Sequence, residues 1–137
     1  MGQGPGKMKV FAEKDHQLKR FTVGNFTGQS GDKYVPETAN AIEQHFPGRI
    51  MYLNRKINRS DGSTAAEFDI ELDTIVIQVK SGTGKKLNRQ IRDSQIVTTK
   101  KVIGFNPDLT HMSLLVRSSG GKVYVTLVEL LDFIKNN

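Results

Sequence analysis

The chain has 137 residues, enough for one domain with a substantial core, and its 36% hydrophobic and 25% charged residues are those of a globular protein. It has no cysteine, which excludes disulfides, thiolate zinc sites, iron–sulfur clusters and cysteine nucleophiles. Lys and Arg number 20 against 14 Asp and Glu, and the resulting net charge of +6 suits a polyanionic partner without identifying one.

Residues 1–35 read as an irregular Gly- and Lys-rich segment, with a short strand at Phe21–Val23 and no apolar stretch that would make a secretory signal. Residues 36–137 read as a single domain. Pro36-Glu37 opens a helix, because proline's missing N–H costs nothing in a first turn. Val35, Ala39, Ile42 and Phe46 give that helix its apolar stripe, and Pro47-Gly48 ends it. Arg49–Asn54 is expected as a strand and Asn58–Ser63 as a loop. Phe68, Ile70 and Leu72 alternate with acids, and Ile75, Ile77 and Val79 follow after Asp73-Thr74, which predicts a tight hairpin. Ser81–Gly84 breaks the second strand, and Lys85–Val97 reads as a helix with Leu87, Ile91 and Ser94 on one face. Strands are expected at Val102–Phe105, Met112–Arg117 and, briefly, Val123–Val125. Thr126-x-x-Glu129 is a capping box that opens a last helix. No apolar run approaches the roughly 18 residues of a spanning helix.

The polar side of the hairpin carries the candidate chemistry. A two-residue turn at Asp73-Thr74 sets Asp69 opposite Gln78 and Glu67 opposite Lys80, and strict alternation would put these four side chains on one face. Phe68, Ile70, Ile77 and Val79 would take the other. Two carboxylates, an amide and a lysine so gathered could hold a hard divalent cation through oxygen and steady a phosphate or a water. His16, His45 and His111 lie far apart without metal-ligand spacing, and no GxxxxGK[ST], GxGxxG or GxSxG motif is present.

Glu67-Phe-Asp69-Ile, a short spacer, then Ile77-Gln78-Val79-Lys80-Ser81-Gly82 resembles the core signature of the PD-(D/E)xK, or restriction-endonuclease-like, nuclease superfamily. The likeness covers about residues 36–105. It implies an α/β (α+β) fold, a mixed central sheet flanked by helices in the core order αβββαβ. It also implies site roles: Asp69 as metal-binding carboxylate, Gln78 in the (D/E) place as a further ligand, Lys80 as catalytic lysine, Glu43 as the helix carboxylate and metal ligand, and Gln90 as the post-motif glutamine. Glu67 would assist the site. Gln78 departs from the acid more usual there, which removes one negative charge. The implied cofactor is a divalent metal, Mg²⁺ first, with Mn²⁺ or Zn²⁺ as alternatives. Within the superfamily the chain looks most like the C-terminal nuclease toxin domains of contact-dependent growth inhibition and related polymorphic-toxin systems. These act on tRNA or DNA inside a target cell's cytoplasm and are neutralised by a cognate immunity protein. A Holliday-junction resolvase-like DNA enzyme and a non-catalytic nucleic-acid-binding domain are the alternatives.

Charge placement adds to this. Lys80 to Lys101 holds seven basic residues and one acid, so this segment carries the whole surplus, while the rest of the chain balances at 13 and 13. Lys85, Arg89 and Arg92 fall at i, i+4 and i+7, with Lys86 beside them, a row suited to a phosphate backbone. Asp61 to Asp73 holds five acids and no base, a self-repelling stretch that would favour a bound cation.

Overall fold

A computed structural model describes residues 10–12, 33–109 and 122–137. The strands expected at Phe21–Val23 and Met112–Arg117, and His16 and His111, lie outside the described residues. In chain order the elements are β1 (Val10–Ala12), α1 (Tyr34–His45), β2 (Ile50–Arg59), β3 (Thr64–Leu72), β4 (Ile75–Val79), α2 (Leu87–Val97), β5 (Lys101–Phe105), β6 (Lys122–Tyr124) and α3 (Leu127–Lys135). The strands form one mixed sheet in the order β1 to β6. The pairs from β1 to β4 are antiparallel, and β4–β5 and β5–β6 are parallel.

Helices cover both faces. Val35, Ala39 and Ile42 of α1 and Leu130 and Ile134 of α3 pack with Ile70, Ile77, Val79, Ile103 and Phe105. On the other face Leu87 and Ile91 of α2 pack with Ile57, Phe68, Val76, Val102 and Val123. In β4 and β5 the side chains alternate strictly between these two cores, as period-two strands buried on both sides require. Gly104 lets α2 come down onto the sheet: a Cβ there would lie 3.0 Å from Val123 Cγ2 and 3.1 Å from Ile91 Cδ1.

Three elements differ from the sequence expectation. β1, in the segment expected to be irregular, pairs Val10–Ala12 with the end of β2. β2 runs on to Arg59, well past Asn54, and its later half pairs with β3 from Thr64 to Phe68. Polar residues along it masked the strand, because only Ile57 of that half is buried. The expected loop shrinks to a turn in which Asp61 Oδ1 accepts from Ser63 N–H at 2.9 Å. The third difference is the start of α2. Lys86 is its N-cap and sits in the left-handed region at φ 74°, so Lys85 and Lys86 precede the helix and only Arg89 and Arg92 ride on it. The last helix begins as expected, with Thr126 Oγ1 accepting from Glu129 N–H at 3.2 Å.

At the closed end of the hairpin, Arg49 ties three elements together. Its guanidinium donates to Asp73 Oδ1 at 2.8 Å, to Thr74 Oγ1 at 3.1 Å and to the Ile134 carbonyl at 2.9 Å, near the C-terminus of α3. The hydrogen bond and charge of Arg49 hold the Asp73 carboxyl below its ordinary range.

Candidate functional site

The hairpin has the expected register: Ile70 faces Ile77 and Glu71 faces Val76. Beyond Ile70 and Ile77 the two strands part. β3 stays on β2 as far as Thr64, while β4 stays on β5 as far as Val79. A fork opens between β3 and β4, and the motif residues stand in it.

The fork coincides with a break in alternation. Asn54, at φ 54°, lies between the pairs Leu53–Ile70 and Arg55–Phe68. Asparagine tolerates this left-handed conformation better than most residues. One such residue turns a strand over: Leu53 enters the core under α1 and α3, and Ile57 the core under α2. On β3 the same reversal separates Phe68 from Ile70, which pack into opposite cores. The expectation that Phe68, Ile70, Ile77 and Val79 share one face is therefore corrected, since strict alternation does not survive the twist at Asn54 and Asp69. So is the shared face of Glu67 and Gln78: Ala66 and Phe68, on either side of Glu67, pack into the α2 core, toward which Gln78 also points.

Side chains replace the missing ladder in the fork. Asp69 is 6% exposed, and its Oδ2 accepts from Val79 N–H at 2.9 Å. Gln78 is fully buried. Its Nε2 donates to the Glu67 carbonyl at 2.8 Å and to Ser94 Oγ of α2 at 2.6 Å. Backbone groups that leave a ladder in a dry place must find such partners. Asp69 and Gln78 are thus brought together, and Lys80 leaves the end of β4 two residues later. Lys80 N–H donates to the Phe105 carbonyl at 3.0 Å, which pins its backbone to β5. The Lys80 and Glu67 side chains are half-buried, and among the described residues no ion pair joins them. A ligand role for Gln78 would fall to Oε1, which here accepts from Asp69 N–H at 3.4 Å.

Glu43 is not brought to the fork. It lies near the end of α1, where its carboxylate accepts from Gly48 N–H at 3.2 Å, next to Arg49 and the closed end of the hairpin. The fork end of α1 is its N-terminus. There Tyr34 donates its hydroxyl proton to Asp108 Oδ1 at 2.5 Å, and Asp108 Oδ2 accepts from Gly82 N–H at 2.7 Å. The nine residues from Tyr34 to Glu43 span about 13 Å along a helix. The α1 carboxylate in the first turn is Glu37, which is exposed. The apolar stripe alone does not tell which end of α1 meets the motif.

The loop after Lys80 is stitched to the rest of the fork end. Asn106, fully buried, donates from Nδ2 to the Gly82 carbonyl at 3.2 Å and accepts from Asp108 N–H at 3.0 Å. Gly84, at φ +74°, would bring a Cβ within 3.0 Å of Asn106 Nδ2, so glycine is needed there for conformation and for space. The Tyr34 hydroxyl, and next the Gly82 N–H, hold the Asp108 carboxyl below its ordinary range. From this loop onward Lys85, Lys86, Arg89 and Arg92 are all exposed, and among the described residues no hydrogen bond or ion pair occupies their charged groups. Gln90 differs from them. It is half-buried, with an amide oxygen that is enclosed and finds no partner among the described residues.

One charged cluster was not singled out from sequence. Glu71, 2% exposed, accepts from Arg55 Nε at 2.8 Å and Nη2 at 3.0 Å, and from Lys100 Nζ at 2.7 Å. Arg55 stacks over the Tyr52 ring at 4.4 Å. In sequence Glu71 is one acid of an alternating run, and nothing there separates it from the exposed Asp73.

Among the described residues no three His, Cys, Asp or Glu side chains gather into a metal cage. What the fork offers is one buried carboxylate, Asp69, with Glu67 two residues away. Mg²⁺ is commonly bound by one or two carboxylates, substrate phosphate oxygens and waters, so this donor set fits a magnesium-like ion, and less well zinc, which favours nitrogen and sulfur ligands. Among the described residues no helix is long and apolar enough to cross a membrane. Comparison with protein families, curated proteins and solved structures gives no match.

Proposed function

We propose that the chain is a metal-dependent nuclease that hydrolyses phosphodiester bonds of tRNA or DNA, with a restriction-endonuclease-like core. The observation that carries this reading is the fork itself: a buried carboxylate, Asp69, next to the strand end that delivers Lys80, and beyond it exposed cations on Lys85, Lys86, Arg89 and Arg92. The fork also lies at the carboxyl end of the parallel strands β4 and β5, where open α/β sheets generally bind ligands. Asp69, with Glu67, would hold the ion. A bound divalent cation supplies Lewis-acid polarisation and a more acidic water. Lys80 contributes a fixed positive charge toward the phosphoryl oxygens as negative charge builds on them. The exposed cations orient the backbone of the nucleic acid. The motif likeness further supports a toxin domain of a contact-dependent growth-inhibition system with an immunity protein as partner.

The test is incubation with plasmid DNA and with total tRNA. Cleavage is expected with Mg²⁺, lost in excess EDTA and restored by added Mg²⁺. Cleavage that persists unchanged in EDTA would overturn the metal-dependent reading. Binding without cleavage in any divalent ion would favour a non-catalytic binding domain, the reading that the fully engaged Gln78 amide supports.

The cationic row makes a separate prediction. Replacing Lys85, Arg89 and Arg92 together by alanine is expected to weaken binding and to flatten its dependence on salt. The slope of log K against log salt should fall by about 0.7–0.9 for each phosphate that the protein no longer neutralises. Titration in metal-free buffer at several KCl concentrations measures it, and an unchanged slope would place the nucleic acid elsewhere.

A further inference from the structure

Gln78 occupies the motif position where an acid is more usual, and its surroundings give a reason for the amide. The Glu67 carbonyl can only accept a hydrogen bond and the Asp69 N–H can only donate one. The NH₂ of Gln78 therefore points to Glu67 O, at 2.8 Å, and Oε1 to Asp69 N, at 3.4 Å. The second amide hydrogen goes to Ser94 Oγ at 2.6 Å, so the serine hydroxyl acts as acceptor. Gln78 and Ser94 are both fully buried. On β5 the register partner of Gln78 is Gly104, whose missing side chain lets α2 approach and bring Ser94 over β4.

We propose that Gln78 and Ser94 form a brace that sets the separation of β3 and β4 at the fork, and that Gln78 serves there as a positioning residue through its two N–H donors rather than as a metal ligand. The brace holds the β3 backbone at Glu67 and Asp69, on one side of Gln78, while α2 anchors it on the other. The Asp69 carboxylate then meets Val79 N–H, and Lys80 leaves β4 at a fixed point. A carboxylate at position 78 has no hydrogen to give to the Glu67 carbonyl or to Ser94, and would set a negative charge against a carbonyl oxygen in a dry site. The glutamine thus fits the fork, and the loss of a charged ligand follows from that fit.

For activity this inference rests on the nuclease reading, so the experiment has an arm that does not. Gln78→Glu and Ser94→Ala, each in the full chain, are assayed for cleavage over a range of Mg²⁺. Each is expected to lower kcat by about tenfold, the scale of a buried donor or acceptor left unpaired, with KM and the Mg²⁺ midpoint unchanged. A lower Mg²⁺ midpoint or a faster reaction in Gln78→Glu would show a ligand and overturn the brace. An unchanged kcat in Ser94→Ala would also overturn it. Urea unfolding of Gln78→Met, Ser94→Ala and the double variant supplies the second arm. Coupled residues should give a double variant little less stable than the worse single one. Additive losses would overturn the brace. If the wild-type chain cleaves no nucleic acid, the nuclease reading fails alone, and the unfolding cycle still decides the brace.

Discussion

Lys80→Ala is expected to lower the rate of phosphodiester cleavage by at least about 100-fold, the scale seen when one preorganised electrostatic group is removed from a transition state. Its fold should survive. The Lys80 backbone is fixed by the bond to the Phe105 carbonyl, which alanine keeps. Among the described residues no ion pair or hydrogen bond holds the ammonium, so its removal strands no partner. Substitutions of that kind usually change stability by about 0.5 kcal/mol or less. The effect therefore belongs in kcat, with the urea midpoint near wild type. Lys80→Arg should recover only part of the activity, since a planar guanidinium cannot take the place of a compact ammonium at a fixed distance. Cleavage by Lys80→Ala at the wild-type rate would remove the lysine, and with it the proposed mechanism.

The largest loss of stability is expected from Glu71→Ala. Among the described residues Glu71 is the single carboxylate paired with both Arg55 and Lys100, and it meets Arg55 in a bidentate pair. Removing it leaves two cations facing each other in a space from which water is mostly excluded, a change that costs about 3–5 kcal/mol at buried sites. Arg55 and Lys100 keep 16% and 22% of their side chains exposed, so the lower end, about 3 kcal/mol, is expected. Urea denaturation should show a lower midpoint with an unchanged slope. A triple replacement of Arg55, Glu71 and Lys100 by methionine should recover much of the loss, because removal of all three charges leaves none unpaired. A midpoint within error of wild type for Glu71→Ala would mean that solvent reaches the cluster freely.

Much of this architecture could be read from the order of residues. Alternation in β3 and β4, the Asp73-Thr74 turn, the Pro47-Gly48 stop and the Thr126–Glu129 cap are local signals, each set by a few neighbouring side chains, and they gave the hairpin, its register and the two outer helices. The exposure of Lys85, Lys86, Arg89 and Arg92 was likewise legible, since unpaired cations between apolar anchors belong at a surface, but their helical row was not, because Lys85 and Lys86 precede α2. The second half of β2 was not, because its pairing with β3 is satisfied by backbone bonds that leave little mark on the side chains.

The site divides in the same way. The sequence by itself determined that Asp69 and Gln78 meet across the hairpin and that Lys80 follows at the end of the second strand, because turn length and the register it sets are properties of adjacent residues. Only the tertiary structure decided what surrounds them. It parted β3 from β4, turned the strand over at Asn54, buried Gln78 against Ser94, drew Glu71 between two cations and left Glu43 at the far end of α1. The surroundings of Gln78 and Glu71 depend on groups that meet across long sequence separations, 16 residues from Gln78 to Ser94 and 29 from Glu71 to Lys100, where packing and the pairing of buried polar groups settle the geometry.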